Sequence, residues 1–401
     1  MASAIDTEAP SRAQAGASLL ALFCLGHFFI DLYSAALGVL QPLMLKKFGL
    51  SFTEAGVLGG VLVFSSSVMQ PLYGYLSDKF RSPLFSALAP AVAGAFISAL
   101  GLATGFMSLL AMVFLGGAGV ASFHPQAAAN ATLGVKWNRG RAMAIFICSG
   151  TLGLALGPTF FSWVSERAGL EGAWRAGIPG ILASLVLLAF LRKLPAEPEA
   201  DRARGGKFDL APLRAVWKPM TILYFLVVIR SVVQVVFTQF LPLYLSTQRG
   251  YSLPKASLSL SLYLLGGAVG GLAGGSLADR FGGRWVILVS MIGSVPFLGL
   301  FLLTNGPWSI AALALGGLML LFTIPVNVVM AQELAPTQSG TVSALMMGFA
   351  WGMAGLIFIP LTGWIADVFS MQAAFAGLVL FPLIGFFLAL KLPRGLGHGG
   401  A

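Results

Sequence analysis

Apolar runs of about twenty residues recur along nearly the whole chain, from Ser18 to Leu392, and most are separated only by short polar turns. A helix needs about 20 apolar residues to cross the hydrocarbon core of a bilayer. Inside that core every backbone N–H and C=O must be satisfied within the protein. A chain patterned in this way therefore has one route to a fold, a bundle of membrane-crossing helices. Only 9% of the residues are charged and 57% are hydrophobic, against about 25% charged in soluble domains. Water could not solvate the outside of a globule made from it.

The spacing predicts twelve crossings, over 18–44, 52–76, 84–104, 107–133, 142–165, 174–194, 219–246, 254–277, 284–304, 307–332, 339–366 and 372–392. The expected fold class is an all-α membrane protein with twelve transmembrane helices in two pseudo-symmetric six-helix bundles. The first apolar run extends for roughly 25 residues, too long for the short core of a cleaved signal peptide, so it reads as an uncleaved crossing. Between the sixth and seventh runs lies RKLPAEPEADRARGGKFDLAPLRAVWK, charged and rich in proline and alanine. The expected organisation is a tail over 1–17, a first bundle over 18–194, a linker over 195–218, a second bundle over 219–392 and a tail over 393–401.

Basic residues favour cytoplasmic loops. With both termini inside, 17 lysines and arginines fall on inner segments and 6 on outer ones. Both termini are therefore expected in the cytoplasm and the chain in the cell's inner (plasma) membrane. The net charge of +10 is spread over loops, so no nucleic-acid partner is expected. Cys24 and Cys148 both lie inside apolar runs, where cysteine commonly acts as a small hydrophobe; no disulfide, metal site or cofactor is expected. Short loops without an extra domain suggest a monomer.

The two halves repeat. GYLSDKFR begins at Gly74 and GSLADRFGGR at Gly275, an offset that also relates Gly49 to Gly250, Trp163 to Trp364 and acidic Glu166 to acidic Asp367. Six helices repeated in one orientation are the plan of transporters whose halves rock about a central site. The repeated segments follow the second and eighth crossings. Asp78 and Asp279 can sit near helix N-termini, where the dipole favours an anion. Lys79, Arg81, Arg280 and Arg284 can pair across the seam between halves. The segments read as a latch closing the cytoplasmic gate.

These paired segments, the twelve crossings and the duplication resemble the major facilitator superfamily over nearly the whole chain. Arg81 and Ser82 depart from the family pattern, which has a glycine followed by basic residues there. In the fifth crossing Gly150, Gly153, Gly157 and Pro158 lie in GTLGLALGP, with a small-residue face that signals close helix packing. The eighth crossing offers a matching face at Gly266, Gly270 and Gly274. GTLGLALGP also resembles the glycine-proline motif of the superfamily's antiporters, which implies export.

Charge inside the spans is the most informative signal, because intramembrane charges cost roughly 2.5–3.5 kcal/mol on insertion scales and face paired or watery surroundings. His27 and Asp31 stand four residues apart on one face of the first crossing. Arg230 lies in the seventh, with Gln234 one turn on. If both crossings line the central cavity, Asp31 and Arg230 confront one another. In the fourth crossing, SFHPQAAAN supplies His124, Pro125, Gln126 and Asn130. The proline removes a backbone donor and frees a carbonyl one turn earlier. The tenth supplies Asn327, Gln332 and Glu333, the last read as a boundary residue. His27, Asp31, His124, Gln126, Arg230, Gln234 and Asn327 form the candidate substrate and proton-coupling set.

GHFFID, MQPLYGYLSDK, FHPQA and AQELAPTQSGTVSALMMGFAWGMAGL narrow the resemblance to the fosmidomycin resistance branch, a drug-efflux group of the superfamily. Gln126 departs from it, standing where an acid is expected. The resemblance implies proton-driven export of a small, anionic, phosphonate-like antibiotic or metabolite. Charge reasoning pulls the other way. An anion capturing Arg230 would free Asp31 to bind a proton, so the two ligands would help each other and travel together. A proton-coupled importer of a small organic anion is the alternative. No nucleotide loop, metal-spaced His/Glu cluster or nucleophile elbow occurs, so an enzyme is not expected.

Overall fold

The computed structural model describes residues 12–80, 82–133, 135, 139–191 and 211–393. Arg81, most of the linker and both outermost tails lie outside the described residues, as does the side chain of Asp78.

All regular structure among the described residues is helical. The first crossing is Arg12–Ser34 continued by Ala36–Phe48. The second is Phe52–Val63, a π-helical turn Phe64–Val68 and Gln70–Phe80. Leu84–Ser98 and Phe106–Asn130 form the third and fourth. Eleven continuous stretches are long and apolar enough to span a membrane, because Arg141–Leu191 runs the fifth and sixth crossings together. Gly169, at φ 71°, breaks that stretch, and the turn Ala173–Gly177 leads back through Ile178–Leu191. The count of crossings is therefore twelve.

The second half holds the seventh crossing, Trp217–Arg249, the eighth, Leu253–Phe281, and the ninth, Gly283–Leu303. The tenth is Pro307–Leu321 with Thr323–Leu334. The eleventh is Ser339–Ser343, a π-helical turn Ala344–Phe349 and Ala350–Val368, and the twelfth is Met371–Ala389.

Glycine decides how closely these helices approach. A Cβ on Gly153 would run into the carbonyl of Phe28, and one on Gly157 into that of Leu32, so the fifth crossing lies directly on the first. Gly266, Gly270 and Gly274 bring the eighth onto the tenth in the same way, against the carbonyls of Ala314, Leu318 and Phe322. Dispersion between close backbones replaces the hydrophobic drive that lipid removes.

The two halves meet tightly at the face away from the chain termini, here the distal face. Gly38 of the first crossing lies against the backbone of Thr238 and Gln239 in the seventh, and Gly56 of the second against Ile359 and Pro360 in the eleventh. Thr159 and Ser261 bond at 2.9 Å between the fifth and eighth. Asp367, at the end of the eleventh crossing, accepts from Phe52 N at 2.9 Å, Thr53 N at 2.7 Å and Thr53 Oγ1 at 2.5 Å. A carboxylate thus caps a helix N-terminus in the opposite half, where the free N–H groups and the dipole both favour it.

The terminal face is different. Lys79 lies over its own helix's Tyr75 and Phe80 rings, Arg280 lies over Phe281, and Arg284 donates to the carbonyl of Leu390 at 2.9 Å. Asp279 is exposed. No ion pair joins Lys79, Asp279, Arg280 or Arg284 across the seam among the described residues, and Arg81 and the side chain of Asp78, which the expected latch also needs, lie outside them. The second and eleventh crossings stay in contact down to Val68 and Gly352.

Candidate functional site

A cavity of about 280 Å³ lies between the halves on the terminal side of the distal seal. Its first-half wall includes Asp31, Ser66, Gln70 and His124; its second-half wall includes Thr238, Gln239, Met347 and Trp351. The polar groups come from positions where a span breaks its apolar pattern, and the π-helical turns Phe64–Val68 and Ala344–Phe349 bring Ser66 and Met347 to opposite sides. Such turns recur at functional sites because they interrupt the regular hydrogen-bond ladder.

On the first-half side, Asp31 is held between two histidines. His27 Nε2 lies 3.4 Å from Asp31 Oδ2 and His124 Nε2 lies 3.6 Å from Oδ1. His27 stacks on Phe146 with ring centroids 4.3 Å apart, and its Nδ1 is 2.8 Å from the Phe146 carbonyl oxygen. That oxygen can only accept, so Nδ1 carries the hydrogen. Nε2 of the neutral ring is then a bare lone pair facing a carboxylate. One proton converts that repulsion into an ion pair. Gly150 makes the room: a Cβ there would collide with both His27 Nε2 and Asp31 Oδ2. The donor atoms of His27, Asp31 and His124 fall within 4.8 Å of one another, a spacing that could take a transition-metal ion as well as a proton.

On the second-half side, Arg230 is 5% exposed, and its Nη1 donates to Gln234 Oε1 at 2.7 Å. Its guanidinium carbon lies 5.7 Å from the centre of the Trp351 ring, and Nε has no partner among the described residues. No carboxylate pairs with it among the described residues. The expected confrontation of Asp31 with Arg230 is thus corrected. Each charge finds its neighbours in its own half, because the histidines one turn away and across the fourth crossing reach Asp31 first.

Two further expectations are corrected. Gln126 does not line the cavity; its Oε1 accepts from Ser86 N at 3.1 Å and its Nε2 donates to the Ser82 carbonyl at 3.0 Å, fastening the start of the third crossing. Asn327 is fully buried away from the cavity, with neither side-chain polar atom partnered among the described residues. Gln332 braces the tenth crossing to the eleventh by donating to Ser343 Oγ at 2.7 Å, and Glu333 is exposed at the boundary. Gly74 makes ordinary contact with Pro125, 3.5 Å from a Cβ position. Cys24 and Cys148 are free thiols.

Sequence reasoning missed Gln239, Thr238, Gln70 and Trp351. Gln239 was accessible to the rule that found Gln234, a polar side chain inside an apolar span. Trp351 carried no such signal, since an aromatic residue within a span ordinarily reads as packing.

The family model described as Major Facilitator Superfamily matches residues 23–262 and 250–398. An uncharacterised MFS-type transporter, YfnC, of Bacillus subtilis (strain 168) is 31% identical over 94% of this chain and 92% of its own length. The fosmidomycin resistance protein of Escherichia coli (strain K12) is 28% identical over 96% of this chain and 94% of its own. Among solved structures, a bacterial homologue of the human lysosomal transporter Spinster, in an inward-facing and occupied conformation, superposes with a TM-score of 0.80 at 16% identity. That match covers 96% of this chain and 98% of the other. Fold and relatives agree on a multi-pass secondary transporter of the inner membrane that works by alternating access, and on no enzyme. The chain belongs to the major facilitator superfamily.

Proposed function

We propose that this protein exports a small organic anion, phosphonate-like in its head group, in exchange for protons. The observation that carries the reading is Arg230: a guanidinium buried inside the second half beside a glutamine and an indole, with no carboxylate pairing with it among the described residues. A buried charge without a counter-charge is costly, and an anionic cargo supplies the missing partner. The His27, Asp31 and His124 cluster on the facing wall supplies the proton site. In this reading both termini lie in the cytoplasm and the protein acts as a monomer, so the seam that Asp367 fastens lies on the outer side of the cavity.

The separation of the charges bears on coupling. Were Asp31 bonded to Arg230, an anion displacing it would favour protonation, and anion and proton would travel together. With Asp31 held by histidines that linkage is gone, and the coupling runs through the seam that both ligands must cross. Kinship with the fosmidomycin resistance protein supports the outward direction. Exchange of a monoanion leaving for a proton entering moves two charges, each driven by about 2.3 kcal/mol per 100 mV. Co-transport of the same pair moves none.

Proteoliposomes with separately imposed pH and voltage gradients test the reading. An inside-negative potential should accelerate efflux of a phosphonate such as methylphosphonate at constant pH, and an inward proton gradient should do so at zero potential. Uptake driven by the same proton gradient and indifferent to voltage would establish import by co-transport instead.

A further inference from the structure

Trp351 stands two residues beyond the π-helical turn Ala344–Phe349, and its indole faces two ways. It lines the cavity, and it lies 5.7 Å from the Arg230 guanidinium. Arg230 and Gln234 themselves do not line the cavity and are 5% and 4% exposed. From the cavity, then, the indole covers the cation. One residue beyond Trp351, Gly352 is pressed against Val68 of the second crossing, which holds this stretch of the eleventh at the seam between the halves.

We propose that Trp351 is the lid of an occluded anion site with Arg230 at its floor, and that it selects organic anions carrying a compact oxyanion head on an apolar, planar body. This rests on the anion reading of Arg230 given above. The guanidinium, whose Nε–H has no partner among the described residues, takes the head by charge-assisted hydrogen bonds. Once they do, the cation is neutralised and the indole loses its cation–π partner. A planar body restores that contact by stacking on the indole face; a bare head does not. The lid therefore discriminates by the cargo's body, while Arg230 discriminates by its charge.

Calorimetric titration of the purified full-length protein with phenylphosphonate and methylphosphonate tests this. The wild type should bind phenylphosphonate roughly tenfold more tightly. Trp351→Phe should keep that ratio within about threefold, because a π face remains. Trp351→Ala and Trp351→Leu should bring the ratio to about one, and a melting temperature near wild type shows that the fold is intact; the leucine variant serves if the alanine variant does not fold. A ratio unchanged in both, with binding still dependent on Arg230, overturns the lid and leaves the anion site standing. Equal binding of both probes by Arg230→Gln and wild type overturns the anion site itself, as does the absence of binding to the wild type.

Discussion

The second crossing and its counterpart 201 residues on, the eighth, start from the same turn and are held differently. Gly49 and Gly250 end the preceding helices in the left-handed region, at φ 64° and 62°, where a side chain would be strained. Ser51 and Ser252 follow at equivalent places. Ser51 then closes a capping box with Glu54, and Asp367 arrives from the other half with three hydrogen bonds. At the eighth crossing the residue equivalent to Thr53 is Pro254, which has no N–H and no hydroxyl to offer. Glu166, equivalent to Asp367, is exposed and makes no hydrogen bond or ion pair among the described residues. The surroundings of the cavity show the same divergence, with Asp31 set between two histidines in the first half and, beneath Trp351 in the second, an arginine that no carboxylate pairs among the described residues. Backbone geometry has stayed common to the halves where turns and close approach require it. Side-chain chemistry has divided into a half that sets two histidines around a carboxylate and a half whose buried arginine no carboxylate pairs among the described residues.

The sharpest way to break this division is to remove each charge in turn. Arg230→Gln should weaken phosphonate binding thirtyfold or more, since losing one member of a buried charge pair costs about 2–5 kcal/mol; equilibrium binding measures it. Asp31→Asn should abolish transport driven by a pH gradient while leaving exchange of labelled for unlabelled phosphonate intact in the absence of any gradient. Its amide can still donate to the His27 Nε2 lone pair, so the cluster keeps its shape.

At the distal seam, Thr53→Pro makes the first half resemble the second. It removes two of the three donors to Asp367 and should shift the balance toward the outward-open state by about 1–3 kcal/mol. Distances between spin labels placed on the second and eleventh crossings report that balance; Glu166→Gln should not move it. Gln126→Leu should lower the melting temperature through the loss of two hydrogen bonds, about 1 kcal/mol each, with the dependence of transport on the proton gradient unchanged. A lost gradient dependence there would return Gln126 to the proton path.

Much of this was legible beforehand. Length and hydropathy decide a helical bundle because lipid leaves the backbone no alternative, and the glycine faces of the fifth and eighth crossings announced close packing. The cavity was half legible. His27 and Asp31 share a helix face by periodicity alone, but that His124 reaches Asp31 before Arg230 does depends on how the first, fourth and fifth helices pack, which Gly150 controls from a distant part of the chain. Gln126 misled because an amide in an apolar span looks the same in sequence whether it faces a cavity or fastens a neighbouring helix. Asp367 was noticed only as an acid repeated at Glu166; its partners lie 314 and 315 residues away.

The claim that proton and anion occupy separate walls is tested most directly by the phosphonate affinity of Asp31→Asn at a pH where the wild type binds. Two independent sites predict an affinity within about threefold of wild type. A change of tenfold or more, in either direction, would show that Asp31 and Arg230 act as a single charge pair and would contradict the division of the halves.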